Sequence, residues 1–221
     1  TNLSIVELMG TIKIDAIYNT FTGSAVTAII CMILAFLIID VLSKNNNRLR
    51  IAFENLIYFG YTLPGLVIAL SFVYFSVNYF FSIYQTWIIL IMGYIVLFFS
   101  TGYGPIRTSS ELIGERYSIA SKSLGKSYFE TFYKISLPLY TPGIKKGLLN
   151  VFILTAKELP VTLVLAPLNF HTLSTVIWDG LEEASFSSAG LAGLLLIIII
   201  AIPTYLSIHT EDIKVKFSKN K

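Results

Sequence analysis

The chain has 221 residues, of which 55% are hydrophobic and 13% are charged. A soluble globular domain carries about 25% charged residues, so this composition excludes an ordinary soluble protein and indicates a membrane protein. The formal net charge of +3 is too small to indicate a nucleic-acid partner, and Cys31, the single cysteine, cannot form an intrachain disulfide.

Apolar stretches long enough to cross a bilayer as helices, at about 20 residues each, recur along the chain. They cover residues 21–42, 56–77, 86–105, 146–167 and 188–208. Because backbone groups in lipid must form hydrogen bonds within their own segment, these stretches predict helices. The expected fold class is therefore all-α, a bundle of about five transmembrane helices.

The lysines and arginines are distributed unevenly about these spans. Of the sixteen in the chain, all but Lys13 and Lys157 lie on or at the boundary of one side of the membrane. The positive-inside rule then places the C terminus in the cytoplasm and the N terminus outside. This divides the chain into an external or amphipathic segment (1–20), a transmembrane domain (21–208) and a basic cytoplasmic tail (209–221). An external N terminus with no signal sequence leads us to expect further spans before residue 1, as in the second half of a longer protein.

The polar insert, residues 106–145, predicts two short helices on the cytoplasmic side. Thr108–Glu111 has the pattern of a capping box for the first helix, and Gly125 is expected to end it. Ser127–Glu130 is a second capping box. Two prolines, at 138 and 142, are expected to stop the second helix before the fourth span. The insert is open to two interpretations: an amphipathic hairpin on the membrane surface, or a docking element for a partner's groove.

Residues 119–138, IASKSLGKSYFETFYKISLP, resemble the cytoplasmic EAA loop of ABC importer permeases. That pattern is E-A-A, three residues, G, nine residues, I, one residue, L-P. The residues that match it are Ala120, Gly125, Ile135, Leu137 and Pro138.

The loop also departs from the family pattern. Ile119 and Ser121 stand where the family has glutamate and the second alanine. Glu115 lies one helical turn before Ile119, and we expect it to replace the missing carboxylate in part. The first predicted helix carries an apolar stripe at spacings of four, three and four, formed by Ile113, Tyr117, Ala120 and Leu124.

The flanks YTLPGLVIAL (61–70) and KELPVTLVLAP (157–167) resemble the ferric-iron branch of the same family. Permeases of that branch are usually two fused homologous halves, and this chain would correspond to the second. The resemblance implies the type I importer fold in the inner membrane, with the EAA loop as a coupling helix held by a cytoplasmic ATPase dimer. It also implies an external solute-binding protein and a second permease half or subunit as partners.

The chain has no G-x-x-x-x-G-K-[ST] motif, so ATP and magnesium are expected on the partner ATPase and no cofactor or enzymatic activity on this chain. Ferric iron is the substrate that the resemblance favours. Thiamine, a polyamine or another small solute is the alternative within the class. A membrane scaffold that does not transport is the alternative from another class.

Charged residues interrupt the fourth predicted span. Lys157 and Glu158 fall near its middle, where a lysine costs roughly 2.5–3.5 kcal/mol on insertion scales. Such residues face a bundle interior or a wet cavity, and Pro160 should kink the helix beside them. Either they form structural ion pairs, or Glu158 lines the path of a cation. A carboxylate suits Fe(III). Because one carboxylate is not a full set of ligands, any metal contact at Glu158 would be transient. Thr155 and Thr162 are the nearby hydroxyls.

Tyr61, Pro64 and Gly65 predict a break in the second span. Packing against neighbouring helices and contact with substrate are both open as reasons for it. Between the last two spans, polar residues are close together: His171, Trp178, Asp179, Glu182 and Glu183. Their spacing matches no compact metal-binding motif, and the hypothesis for this connection is a surface that receives the binding protein.

Overall fold

The computed structural model describes residues 14–43, 47–113, 125 and 127–219, and the regular structure within them is entirely helical. A 3-10 turn at Phe81–Ile83 and a π-helical turn at Phe132–Ser136 accompany the α-helices. These are α1 (Ile14–Ser43), α2 (Asn47–Thr62), α3 (Gly65–Tyr79), α4 (Trp87–Ile113), α5 (Tyr128–Thr131), α6 (Leu137–Ala156), α7 (Pro160–Leu165), α8 (Leu173–Glu182) and α9 (Phe186–Lys219). The predicted all-α membrane fold is confirmed.

Three of the described helices are long and apolar enough to cross a membrane, and their crossing stretches are Ile14–Ile39, Trp87–Glu111 and Phe186–Ser207. A fourth crossing is present if Arg50–Thr62 and Gly65–Tyr79, which are bent by 101° to one another, form one span. The predicted spans at 21–42, 86–105 and 188–208 therefore correspond to helices. Because α1 begins at Ile14 and α9 runs to Lys219, helix extends into both segments predicted to flank the transmembrane domain.

The predicted spans at 56–77 and 146–167 are wrong as continuous helices. The first is divided between α2 and α3 just before Gly65, and the second between α6, which ends at Ala156, and α7, which begins at Pro160. Proline has no N–H to donate and its ring clashes with the preceding turn. Each interruption occurs at a proline that the sequence singled out: the break at Pro64 was predicted, and at Pro160, where a kink was predicted, the chain separates into two helices.

The core lies where α1, α4 and α6 pack together. Small residues bring these helices close: a Cβ on Gly147 of α6 would lie 2.7 Å from the carbonyl oxygen of Gly102 in α4. Cys31 of α1 is fully buried there as a small apolar residue. α3 and α7 pack on one another and on α4, while α8 packs on α9 and on α1. This arrangement places both helix breaks beside α4.

The capping box predicted at Thr108–Glu111 is wrong, because α4 continues through it to Ile113. The Thr108 and Ser109 hydroxyls donate to the carbonyls of Gly104 and Pro105, both at 3.1 Å. Hydroxyls that bond one turn back no longer cap free N–H groups. The rest of the first predicted helix lies outside the described residues.

The second half of the polar insert was predicted in part. The Glu130 N–H donates to Ser127 Oγ at 3.2 Å, so Ser127 caps α5 as expected. Pro138 and Pro142 do not stop the helix, because both lie inside α6. Pro138 occupies the first turn of α6, where the missing N–H has no partner to lose. The π-helical turn before it joins α5 to α6 without a break.

Candidate functional site

The two helix breaks contact each other in the folded protein. Gly65 opens α3 after an extended Pro64, and α3 packs against α7. A Cβ on Gly65 would lie 3.0 Å from Glu158 Oε1 and 3.4 Å from Val161 Cγ2. The missing side chain at Gly65 thus leaves the space that the Glu158 carboxylate occupies. Tyr61, predicted as part of the same break, lies in the last turn of α2 and is exposed.

Glu158 lies between α6 and α7, and it bonds to both. Its N–H donates to the Thr155 carbonyl at 3.1 Å, which closes the last turn of α6. Its Oε1 accepts from the Val161 N–H at 3.1 Å, so the carboxylate caps the first turn of α7. Its carbonyl accepts from the Thr162 hydroxyl at 2.7 Å and from the Ser174 hydroxyl at 3.0 Å. Glu158 is therefore not inside a helix, as the sequence predicted, but at the junction of two.

A buried hydroxyl pair connects this junction to α4. Tyr94 Oη and Thr162 Oγ1 lie 2.6 Å apart. Thr162 has one hydroxyl proton and donates it to the Glu158 carbonyl. The Tyr94 hydroxyl must then be the donor to Thr162. α4, α7 and the α6–α7 junction are held by one continuous chain of hydrogen bonds.

One carboxylate oxygen and one hydroxyl at the junction have unused bonding capacity. Glu158 is half-buried, and within the described part of the chain its Oε2 accepts no hydrogen bond. Thr155 is 4% exposed, and its Oγ1 has no hydrogen-bond partner among the residues that the structure describes. Buried polar groups normally have partners. These two atoms are the ones that a polar ligand passing the junction could bind.

The ion-pair interpretation of Lys157 and Glu158 finds no partner in the described ranges. There, neither residue lies within 4.0 Å of an oppositely charged group. Lys157 ends α6 with its side chain exposed, and Pro160 begins α7, also exposed. The two charged residues therefore do not stabilise the fold by pairing with the helices that the structure describes around them.

Resident metal binding has no cluster to support it among the described residues, where no group of three or more His, Cys, Asp or Glu could hold an ion. His171 Nδ1 lies 3.8 Å from Asp179 Oδ2, a pair that is ionic only when the histidine is protonated. Both residues belong to the connection that contains α8. Thr172 caps α8, because its side chain accepts from the Thr175 N–H while the Thr175 side chain accepts from the Thr172 N–H. Glu158 can offer a passing cation one carboxylate, and no more than a transient contact follows from that.

The structure describes only the last part of the EAA-like loop. Gly125 has φ +71°, in the left-handed region that favours glycine, and a Cβ there would meet nothing within 4 Å. Ile135 lies in the π-helical turn, and Leu137 and Pro138 begin α6. The other predicted coupling residues lie outside the described ranges: Glu115, Ile119, Ala120, Ser121 and Leu124.

Sequence reasoning missed a group of four charged residues, two near the start of α2 and two near the end of α4. Between the helices, Arg50 of α2 bonds to Glu111 of α4 at 3.0 Å and Arg107 of α4 bonds to Glu54 of α2 at 3.1 Å. Within the helices, Arg50 bonds to Glu54 and Arg107 to Glu111, both at 3.2 Å. The two opposite-charge pairs at spacing i, i+4 were the available signal. That signal shows the pairs within each helix and cannot show that the two helices are neighbours.

Comparison with known proteins agrees with the fold. Residues 41–210 match the family described as binding-protein-dependent transport system inner membrane component. Over 193 residues the chain is 31% identical to the Fe(3+)-transport system permease protein FbpB 2 of Haemophilus influenzae. This alignment covers 87% of the chain and 38% of that relative, so the chain spans well under half of the relative's length.

A solved structure is also similar along its whole length. It is described as a crystal structure of an amino acid ABC transporter with histidines, and the TM-score is 0.56 with all of both chains covered. At 15% sequence identity this likeness shows the fold alone. The family match covers most of the chain, and the helices it covers are long and apolar enough for several membrane crossings. The chain therefore belongs to the family of binding-protein-dependent transport system inner membrane components and is a multi-pass membrane protein.

Proposed function

We propose that this permease imports ferric iron delivered by an external solute-binding protein, and that Glu158 contacts the ion during its passage. The observation that carries the proposal is the Glu158 carboxylate at the contact of two helix breaks, with Gly65 opposite it. Discontinuous helices are the means by which transporters expose polar backbone and side-chain groups within the membrane. The printed name of the Haemophilus relative, a Fe(3+)-transport permease, supports the choice of ion.

The chemistry of the junction suits brief binding of a hard cation. Glu158 keeps one oxygen on the Val161 N–H and has the other available. Carboxylate oxygen is a hard ligand of the kind that Fe(III) prefers. A single carboxylate from this chain gives a contact weak enough for release, which a transport path requires. Lys157 is the next residue in the chain and is exposed. Its positive charge repels cations, so it opposes cation binding that Glu158 does not offset.

The energy for transport comes, in this proposal, from a cytoplasmic ATPase dimer that binds the EAA-like loop. ATP and magnesium bind to the ATPase, and none to this chain. The left-handed Gly125 allows the sharp corner that a rigid coupling element needs. A second permease half or subunit supplies the other wall of the path. The N terminus lies outside and the basic C terminus in the cytoplasm, as the positive-inside rule requires.

The test is uptake by the complex that purifies with this chain from its own membranes, reconstituted in proteoliposomes with the external binding protein. We expect ATP-dependent uptake of radioactive ferric iron, and a loss of about tenfold or more for Glu158→Gln with the complex still assembled. Asp15→Asn, a change to an exposed carboxylate in the first turn of α1, is the matched control and should leave uptake unchanged.

Three results would change the proposal. Uptake of thiamine or a polyamine in place of iron would keep the transport function and reject the ion. Full uptake by Glu158→Gln would show that the carboxylate serves only to cap α7. Absence of any ATP-driven uptake by the wild-type complex would reject the function as a whole.

A further inference from the structure

The charged residues at the base of α2 and α4 form a closed network, hereafter the ionic network: Arg50, Glu54, Arg107 and Glu111. Two contacts join the helices, Arg50 Nη2 to Glu111 Oε1 at 3.0 Å and Arg107 Nη2 to Glu54 Oε2 at 3.1 Å. Two more lie within single helices, Arg50 to Glu54 in α2 and Arg107 to Glu111 in α4, both at 3.2 Å. Every charged group in the network thus bonds to both oppositely charged groups.

Glu54 is the buried member of the ionic network. It is 6% exposed, and besides both arginines its Oε1 accepts from the Tyr103 hydroxyl at 3.3 Å. A buried carboxylate is tolerated only when it is paired and hydrogen-bonded. The adjoining cavity is about 30 Å³, room for about one or two water molecules. This volume is far below that of a typical small-molecule site, which favours a role of the network in holding the two helices together.

The two contacts between helices restrict how α2 can move against α4. A single ion pair would act as a pivot about which α2 could rotate. Because Arg50–Glu111 and Arg107–Glu54 join the helices at positions about one turn apart on each helix, rotation of α2 about either contact must stretch the other. Arginine's planar guanidinium also bonds to carboxylates with fixed geometry. The base of α2 is therefore tied to the base of α4 in both position and rotation.

The ends of α2 lie at two places that transport must connect. At one end, the ionic network holds it to the last turns of α4, which lead directly into the EAA-like loop. At the other end, α2 stops at Thr62, just before the Pro64–Gly65 break that contacts Glu158. An α-helix of sixteen residues is about 24 Å long. Near the break, a Cβ on Gly60 would lie 2.8 Å from the Val96 carbonyl oxygen, so α2 also lies directly against the α4 backbone.

We propose that the four residues of the ionic network are positioning residues that make α2 move with the cytoplasmic end of α4. A displacement of the coupling loop then reaches the Pro64–Gly65 break, and through it Glu158, along one rigid helix. This inference rests on the proposed function, because it assigns a route between the ATPase-driven loop and the transport path. Without the network, the loop could move while α2 and the break stayed in place.

The test is a double-mutant cycle on the most exposed contact between the helices, in the assembled complex with its ATPase. Arg50→Gln, Glu111→Gln and the double variant are compared in proteoliposomes for ATP hydrolysis and for iron uptake in the same preparation. We expect each single variant to hydrolyse ATP at near the wild-type rate while uptake falls at least fivefold, so that the ATP used per ion rises. The double variant should show a smaller rise than the two single rises combined, since the Arg50–Glu111 contact is common to both changes.

A merely structural role predicts a different pattern. Loss of folding lowers hydrolysis and uptake together and leaves their ratio unchanged. The Arg50–Glu111 contact is partly exposed, with side-chain exposures of 34% and 49%, so its loss should not unfold the bundle. Arg48→Gln, on the same helix and exposed, is the matched control and should keep the wild-type ratio. Glu54→Gln, which reduces the charge of the buried member, should raise the ratio further.

An unchanged ratio in Arg50→Gln, Glu111→Gln and Glu54→Gln, in a complex whose wild-type form couples ATP to uptake, would overturn this inference and leave the proposed function intact. Equal effects of Arg48→Gln and Arg50→Gln would overturn it too, because charge on α2 would then matter and the contact would not. A wild-type complex without ATP-driven uptake would instead reject the proposed function, and this inference with it.

Discussion

At the scale of single residues, the α6–α7 junction holds polar atoms that ordinary folding does not require. Glu158 caps α7 with one oxygen, a task that asparagine or serine performs in most helices. Thr155, next to the end of α6, buries a hydroxyl for which the described parts of the chain supply no hydrogen-bond partner. Each is costly as a structural choice. Under the proposed function, we attribute these groups to contacts with the solute made in another state of the transport cycle.

Thr155→Val tests that explanation. The valine has nearly the same shape and removes the unpartnered hydroxyl, so we expect the free energy of unfolding to rise by about 1 kcal/mol. We also expect uptake to fall, because the hydroxyl's contact with the passing solute is lost. The measurements are the thermal midpoint of the purified complex and iron uptake in proteoliposomes.

The same substitution at Thr20 is the control with the opposite sign. The Thr20 hydroxyl donates to the Ala16 carbonyl and accepts from the Leu173 N–H at 2.8 Å, so Thr20→Val should lower the midpoint. A stabilised Thr155→Val variant with full uptake would show that the hydroxyl has no part in transport.

At the scale of secondary-structure elements, the contact between the two helix breaks depends on one glycine. Gly65→Ala places a Cβ 3.0 Å from Glu158 Oε1 and 3.4 Å from Val161 Cγ2. The carboxylate must move by a few tenths of an ångström, and it then gives up its bond to the Val161 N–H or its position in the path. We expect uptake to fall about tenfold or more, since small misplacements of a reacting or binding group are costly.

Gly190→Ala is the matched control, because a Cβ at Gly190 in α9 meets nothing within 4 Å. Its uptake should equal that of wild type. Gly65→Ala with unchanged uptake would mean that the Glu158 carboxylate does not need its present position.

The elements also show what sequence could predict and where it failed. Pro64 and Pro160 were correctly taken as breaks, since proline cannot continue the backbone hydrogen bonds of the preceding turn. Yet Pro105, Pro142 and Pro203 lie inside helices. What distinguishes Pro160 is tertiary: Glu158 and Ser174 supply the bonds that allow the chain to separate there. A single sequence carries no sign of those partners.

The juxtapositions that make the site were beyond sequence reasoning for the same reason. Gly65 and Glu158 were each singled out, but their contact depends on α3 packing against α7. Glu54 was missed because its burial depends on α4 lying beside α2. The capping box at Thr108–Glu111 failed since the pattern matches a helix start that packing of α4 overrides. Local chemistry was predictable, and contact between distant elements was not.

At the scale of the whole molecule, the proposed function requires that ATP hydrolysis at one end of the bundle changes the transport path at the other end. The EAA-like loop follows α4, the ionic network ties α4 to α2, and α2 ends at the break beside Glu158. This order gives each part a separate signature when it fails. From the two proposals we expect that damage at Glu158 stops uptake, that damage at the ionic network uncouples hydrolysis from uptake, and that damage in the loop removes the ATPase.

The loop's signature can be tested at Gly125, whose φ of +71° suits glycine and, less well, asparagine. Gly125→Val should lose the ATPase on purification of this chain, because a β-branched residue is strained in the left-handed region by roughly 1–2 kcal/mol. Open space around the Cβ excludes a clash as the cause. Gly125→Asn is the control and should retain the ATPase. Mass spectrometry of the proteins that purify with each variant decides between them, and equal recovery of a P-loop ATPase with Val and Asn would contradict the role of this corner.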